Sequence, residues 1–235
     1  MKILKDLHRW DLRPEEAVKL QSKLQSQLDI IPLTCHPMLV AGADISYEKH
    51  DNHLYAAAVV VELASFKIVE IQLAEGDVDF PYIPGLLSFR ESPILLKALE
   101  KIQTPFDVLA IDGQGTAHPR GFGIASHIGL LADVPTVGIA KSILVGTHEP
   151  LEECCGSWKP LVYKGKIVGA AVRTQNGIEP VYVSPGHKID LECSIKLALS
   201  CTTKYRIPEP TRLAHIEVNK LRLKKQKSPC EPTLF

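Results

Sequence analysis

The chain has 235 residues, 45% hydrophobic and 23% charged, with 27 basic residues against 27 acidic ones. That length fits one domain with a sizeable core. A net charge of zero neither points to a bulk polyanion binder nor excludes one, because acidic catalytic groups can offset a basic face. No apolar run approaches the length of a membrane span, and the charged start Met1-Lys2-Ile3-Leu4-Lys5-Asp6 has no apolar core of a signal peptide. Cys35, Cys154, Cys155, Cys193, Cys201 and Cys230 show no Cys-x-x-Cys spacing, and the adjacent pair is poorly placed to close a disulfide on itself. Free thiols in a reducing cytoplasm are expected.

Residues 11–30 read as a helix, with Pro14 and Glu15-Glu16 in its first turn and Ala17, Leu20, Leu24 and Leu28 on one face. Segments 38–47, 54–63 and 67–74 read as strands joined by short links, which favours an antiparallel meander. In residues 80–93, Pro81 and Pro84 bracket Tyr82-Ile83, so a stiff, solvent-facing loop should present the tyrosine. Gly85 then releases the chain into a Leu-rich helix with Glu91 in its first two turns. A short apolar strand, 106–111, ends in Asp112-Gly113; reached through a helix, it is expected to lie parallel to its neighbour. A glycine-rich run to Gly123, a helix over 124–132 and a strand over 136–140 ending at Lys141 follow. Segments 161–163, 167–173 and 180–184 read as strands, 190–200 and 210–225 as helices. Residues 1–226 are expected to form a single domain of the α/β class, a mixed sheet flanked by helices, and 227–235 a disordered tail.

Ligands in such sheets sit at the carboxyl ends of the strands. Asp44 interrupts one apolar strand, Asp112 ends another, and Glu91 lies near the start of the helix between them. If the strands are neighbours, three carboxylates converge, and their repulsion calls for protons or a cation. Hard oxygen donors without cysteine point to Mg²⁺ or Mn²⁺, which can activate water for phosphodiester hydrolysis. Each residue also has a plainer reading alone: Asp112-Gly113 is a common turn dipeptide, His215 a surface histidine, Lys141 a surface lysine. The cluster Lys220, Arg222, Lys224, Lys225 and Lys227 reads first as a solvated helix face.

Several stretches together resemble the endonuclease V family. They are Val40 to Tyr47, Pro81 to Glu91, Val108 to Gly115, His118 to Gly123, Gly138 to Ser142, Tyr182 to His187 and Thr211 to His215, in family order over most of the chain. The resemblance implies a ribonuclease H-like fold with three antiparallel strands followed by parallel ones. It implies Mg²⁺, with Mn²⁺ as a substitute, on Asp44, Glu91, Asp112 and His215, and Lys141 near the scissile phosphate. It implies cleavage of the second phosphodiester bond 3′ to a deaminated purine, leaving 3′-hydroxyl and 5′-phosphate ends, in DNA repair. Tyr82 would be a wedge carried by Pro81, Ile83 and Pro84, and the extruded hypoxanthine would meet backbone of Gly85, Leu87, Gly113 and Ile124, with His118 at the border. The implied partner is nucleic acid containing deoxyinosine or inosine, with no membrane and a monomeric protein. An RNA-directed enzyme, a non-catalytic nucleic-acid-binding module of the same fold and an actin-like phosphate-handling protein are the rivals. The second should have lost a carboxylate, and the third lacks its second phosphate loop.

Overall fold

A computed structural model describes residues 7–48 and 51–227. The elements are α1 (Pro14–Gln25), β1 (Leu39–Ser46), β2 (His53–Glu62), β3 (Lys67–Asp77), α2 (Leu87–Leu99), β4 (Val108–Asp112), α3 (Ile124–Ala132), β5 (Thr136–Ala140), β6 (Trp158–Tyr163), β7 (Lys166–Val172), β8 (Val181–His187), α4 (Leu191–Ser200) and α5 (Glu209–Lys227). One eight-stranded sheet runs β3-β2-β1-β4-β5-β8-β7-β6. The first three strands form the expected antiparallel meander, and β1, β4 and β5 run parallel. The last three strands continue the sheet antiparallel, beginning with β8 against β5.

Alternation along β1 and β4 sorts their side chains between two layers. Ala41, Ala43, Leu109 and Ile111 face a core shared with α2 and α3, built on Ile94, Leu95, Leu99 and Ile128. Val40, Val108 and Ala110 face the opposite layer, where α4 packs through Ile195, Leu197 and Ala198. The layer of α5 is fixed by Ala214 and Val218 against Tyr55, Ala57, Val59 and Val61 of β2. Burial of each such Val, Leu or Ile is worth about 1.5–3 kcal/mol.

The first helix begins at Pro14 and β6 at Trp158, each three residues from expectation, and two further boundaries differ for reasons outside the local sequence. The first helix stops at Gln25, although Leu28 continues its apolar stripe. Beyond that point Asp29 is drawn to the end of β8, where its carbonyl accepts the Lys188 N–H at 2.6 Å and its N–H donates to His187 Nδ1 at 3.2 Å. Strand β3 runs three residues further than its alternation suggests, because β2 pairs with it as far as His53 opposite Asp77. Lys227 ends α5; the rest of the anticipated tail, and the N-terminal Met1 to Asp6, lie outside the described residues. Among the described residues no helix is long and apolar enough to cross a membrane. Cys35, Cys154, Cys155, Cys193 and Cys201 are free thiols; Cys230 lies outside the described residues.

Candidate metal centre and its cleft

The register of β1 on β4 places the acidic groups side by side. Ala43 pairs with Ile111, so Asp44 and Asp112 stand one step further along, on the same face as α5. Close docking of α5 supplies the third group. Gly42, two residues before Asp44 on that face, touches the start of α5; a Cβ there would lie 1.9 Å from the Pro210 carbonyl oxygen. That close approach lets His215, one and a half turns on, reach down to the carboxylate.

His215 Nδ1 donates to Asp44 Oδ2 at 2.7 Å, while Asp44 Oδ1 accepts the Ile45 N–H at 2.8 Å. Behind the imidazole, Asn219 donates to His215 Nε2 at 3.2 Å and accepts from the Ser46 hydroxyl at 2.9 Å. Asp44, Asp112 and His215 each present a ligand atom, and these atoms lie within 4.8 Å of one another. Lys141, at the end of β5, donates to Asp112. Burial, then the neighbouring Asp44 charge, raises the Asp112 pKa, and Lys141 opposes the rise. The hydrogen bond to Asp44 raises that of His215. A buried carboxylate and a half-buried one, set side by side and met by an ammonium and an imidazole, form a site short of positive charge. That deficit, with hard oxygen donors and no cysteine lining the cleft among the described residues, fits a divalent cation.

Glu91 stands outside the close group of three but in the same cleft. Its Oε1 accepts from the Tyr47 hydroxyl at 3.2 Å. Burial pushes its pKa up to about 7, against the lowering effect of Tyr47, and the Asp44 and Asp112 charges push the same way as burial.

The cleft has a volume of about 580 Å³, within the roughly 300–1,000 Å³ of small-molecule sites. Asp44, Asp112, His215, Glu91 and Lys141 lie within it. So do Tyr82, Pro84, Gly85 and Leu87 on one wall, with Gly113, His118 and Ile124 nearby. Pro81 and Ile83 do not line it: Pro81 is exposed, and Ile83 packs against Ala17, Phe80 and Phe89. Tyr82 is 60% exposed, the most exposed aromatic side chain among the described residues. The basic stretch of α5 is largely engaged by carboxylates: Lys220 by Glu217 at 2.6 Å, Lys225 by Glu75 at 2.7 Å, and Arg222 by Glu48.

The loop carrying Tyr82 is pinned at both shoulders. At its entry the buried Arg90 donates through Nη1 to the Phe80 carbonyl at 2.6 Å and through Nη2 to that of Asp51 at 2.7 Å. At its exit, Ile83-Pro84-Gly85-Leu86 forms a turn of the type II pattern: Pro84 precedes Gly85 at φ 80°, and the Leu86 N–H donates to the Ile83 carbonyl at 2.9 Å. The Gly85 carbonyl then accepts from His118 Nε2 at 3.0 Å, Arg120 Nη2 at 2.6 Å and Gln21 Nε2 at 3.2 Å. His118 Nδ1 accepts the Arg120 N–H, so the ring is the neutral Nε2–H tautomer. Burial, reinforced by the Arg120 charge, lowers its pKa to about 4. Tyr47, Arg90 and Arg120 fall within the stretches that carry the family resemblance, yet composition and spacing assign them no task. Gln21 had a signal: it sits in the apolar stripe of α1, between Ala17 and Leu24, and is fully buried.

A family model described as Endonuclease V matches residues 19–216. Endonuclease V of Trichormus variabilis is 50% identical over 88% of this chain and 94% of that protein. The crystal structure of endonuclease V from Streptomyces avermitilis superposes with a TM-score of 0.88 at 39% identity, covering 92% of this chain and 96% of that one. Endonuclease V of Ciona intestinalis, in complex with a 24-mer DNA containing an inosine followed by a ribo-adenosine, superposes with a TM-score of 0.77 at 26% identity, over 91% of this chain and 98% of that one. The expected ribonuclease H-like architecture is therefore the observed one.

Proposed function

The chain belongs to the endonuclease V family, and we propose that it is a metal-dependent endonuclease acting on nucleic acid that carries a deaminated purine. The observation that carries this reading is the meeting of Asp44, Asp112 and His215 on the floor of a cleft whose lip bears Tyr82. Two carboxylates and an imidazole, with Glu91 beside them, suit Mg²⁺, or Mn²⁺ in its place. Such ions, when bound, supply an activated water and positive charge at the departing oxygen.

The chain's own groups do the remaining work. Asp44 and Asp112 hold the charge deficit at one point of the sheet, and Asn219 keeps the His215 ring turned towards it. Lys141, beside Asp112, offsets charge on the scissile phosphate. The Tyr82 ring fills the gap left when the altered base leaves the stack. Backbone groups of Gly85, Leu87, Gly113 and Ile124 read the edge of the extruded hypoxanthine, with His118 at the border of the pocket. The bond cut is the second phosphodiester 3′ to the lesion, leaving 3′-hydroxyl and 5′-phosphate ends. The main substrate is deoxyinosine in DNA and the setting is repair. The inosine-containing complex of the Ciona relative supports the choice of lesion.

Matched DNA and RNA oligonucleotides, each with one inosine or none, test this with Mg²⁺, with Mn²⁺ and after chelation. Cleavage is expected only with inosine and metal, faster on DNA, with product ends mapping to the second bond. Cutting that survives full chelation, or equal cutting of plain strands, overturns the reading. A faster RNA arm assigns the enzyme to RNA instead.

A further inference from the structure

We propose that Gln21, on α1 and outside the cleft, is a positioning residue that holds the Tyr82 loop at its working distance from the carboxylates. This rests on the wedge role proposed above for Tyr82.

The loop has no ladder hydrogen bonds through Pro81, Tyr82 and Ile83. A loop that must push a ring into a nucleic-acid stack needs a rigid footing, because any give in the loop cancels the push. Its exit turn leaves one backbone acceptor, the Gly85 carbonyl, on which three side-chain donors converge. Two of them, His118 and Arg120, come from the glycine-rich segment after β4. The third, Gln21, comes from α1 and joins the other elements together. Its Nε2 also donates to the Phe122 carbonyl at 2.6 Å, and its Oε1 accepts from Arg120 Nε. One buried carboxamide thus ties the wedge turn to the segment that carries His118.

Packing on α1 runs in the same direction. Ala17 and Leu20 meet Phe80, Ile83, Leu86 and Phe89, residues on both sides of Tyr82. Tyr82, flanked by the exposed Pro81, stands out of an anchored loop. A helix held only for bulk stability would not need a fully buried glutamine with its amide nitrogen split between two carbonyls, since each such bond must first offset desolvation. Leucine would pack there more cheaply.

The test uses the full chain and duplex DNA with or without one inosine, with Ca²⁺ replacing Mg²⁺ for binding. Gln21→Leu keeps an apolar side chain of similar bulk, one atom shorter, and loses all three Gln21 hydrogen bonds. The preference for inosine duplex over plain duplex is expected to fall about tenfold, the scale of one base–aromatic stack. The single-turnover rate at saturating enzyme should fall by less than about threefold. In a Tyr82→Ala background, Gln21→Leu should lower the preference by less than about twofold more, because the two act as one unit. Leu197→Ala, which loosens the core under α4, supplies a destabilised control that keeps the preference. Should Gln21→Leu fail to fold, Arg120→Met removes two bonds of the same cluster from a half-buried position. A folded variant that keeps the full preference, or effects that simply add in the double mutant, overturns the proposal. A wild-type protein without inosine preference overturns instead the function on which it rests.

Discussion

Asp44 and Asp112 stand on neighbouring parallel strands that are themselves paired on both sides, whereas Tyr82 stands on a loop with no ladder of its own. The floor of the cleft inherits its geometry from the sheet, so the spacing of its carboxylates follows from register. The lip is held by side chains that reach in from elsewhere: Arg90 at one shoulder, and Gln21, His118 and Arg120 at the other. A site built on strands can lose a side chain and keep its shape. A site built on side-chain-to-backbone bonds loses its shape with the side chain.

That contrast sets the expected size of each perturbation. Asp44→Ala or Asp112→Ala should cost cleavage of an inosine oligonucleotide on the order of a thousandfold or more, since a charged partner of the reacting centre is gone. The melting temperature should fall by no more than a few degrees, because removing either acid relieves repulsion from the other. Unfolding of these variants would show that the floor is not independent of its carboxylates. Tyr82→Ala comes next: affinity for inosine duplex should drop about tenfold. Its single-turnover rate should change much less, and equal affinity in the two proteins would remove the wedge.

The smallest effect separates the two regions by pH. Behind the lip, His127 is fully buried among Phe89, Phe122 and Trp10, with its Nε2 2.7 Å from that of His8. Burial lowers both pKa values; a charge on His8 lowers that of His127 further, while the hydrogen bond to the Arg9 carbonyl partly offsets the fall at His8. The native protein therefore refuses protons that the unfolded chain accepts below about pH 6.5, and stability falls on acidification, by up to ~1.4 kcal/mol per pH unit for the fully buried His127 and by less for the partly exposed His8. The metal-free floor has the opposite sign: Glu91, raised to about 7, takes up a proton on folding, so its contribution grows as pH falls through 7. Chemical denaturation at pH 6.5 and 5.5 should show a shallower loss in His127→Leu than in the wild type. Equal slopes would mean that the histidine pair is not acid-sensitive.

The same division explains what was legible in the sequence. Asp44 and Asp112 could be read because a charge that ends an apolar strand is conspicuous against its neighbours. Tyr82 could be read because prolines fix a loop locally. Arg120 and Arg90 could not be assigned a task that way: their partners are carbonyls remote in sequence, set by tertiary packing. Gln21 left a trace as a polar residue in an apolar stripe. The overlong first helix fails for a related reason, since Leu28 keeps the helical period while Asp29 is claimed by β8. His215 depends on how deeply α5 docks, and only the contact at Gly42 reveals that depth.

The late arrival of α5 also orders the making of the protein. All eight strands are complete at His187, and α5 begins only at Glu209. A nascent chain emerging from the ribosome holds both aspartates long before it holds His215. The candidate metal centre therefore stays incomplete until α5 is made and settles onto Gly42, and a partly made copy carries the Tyr82 loop and both aspartates without His215.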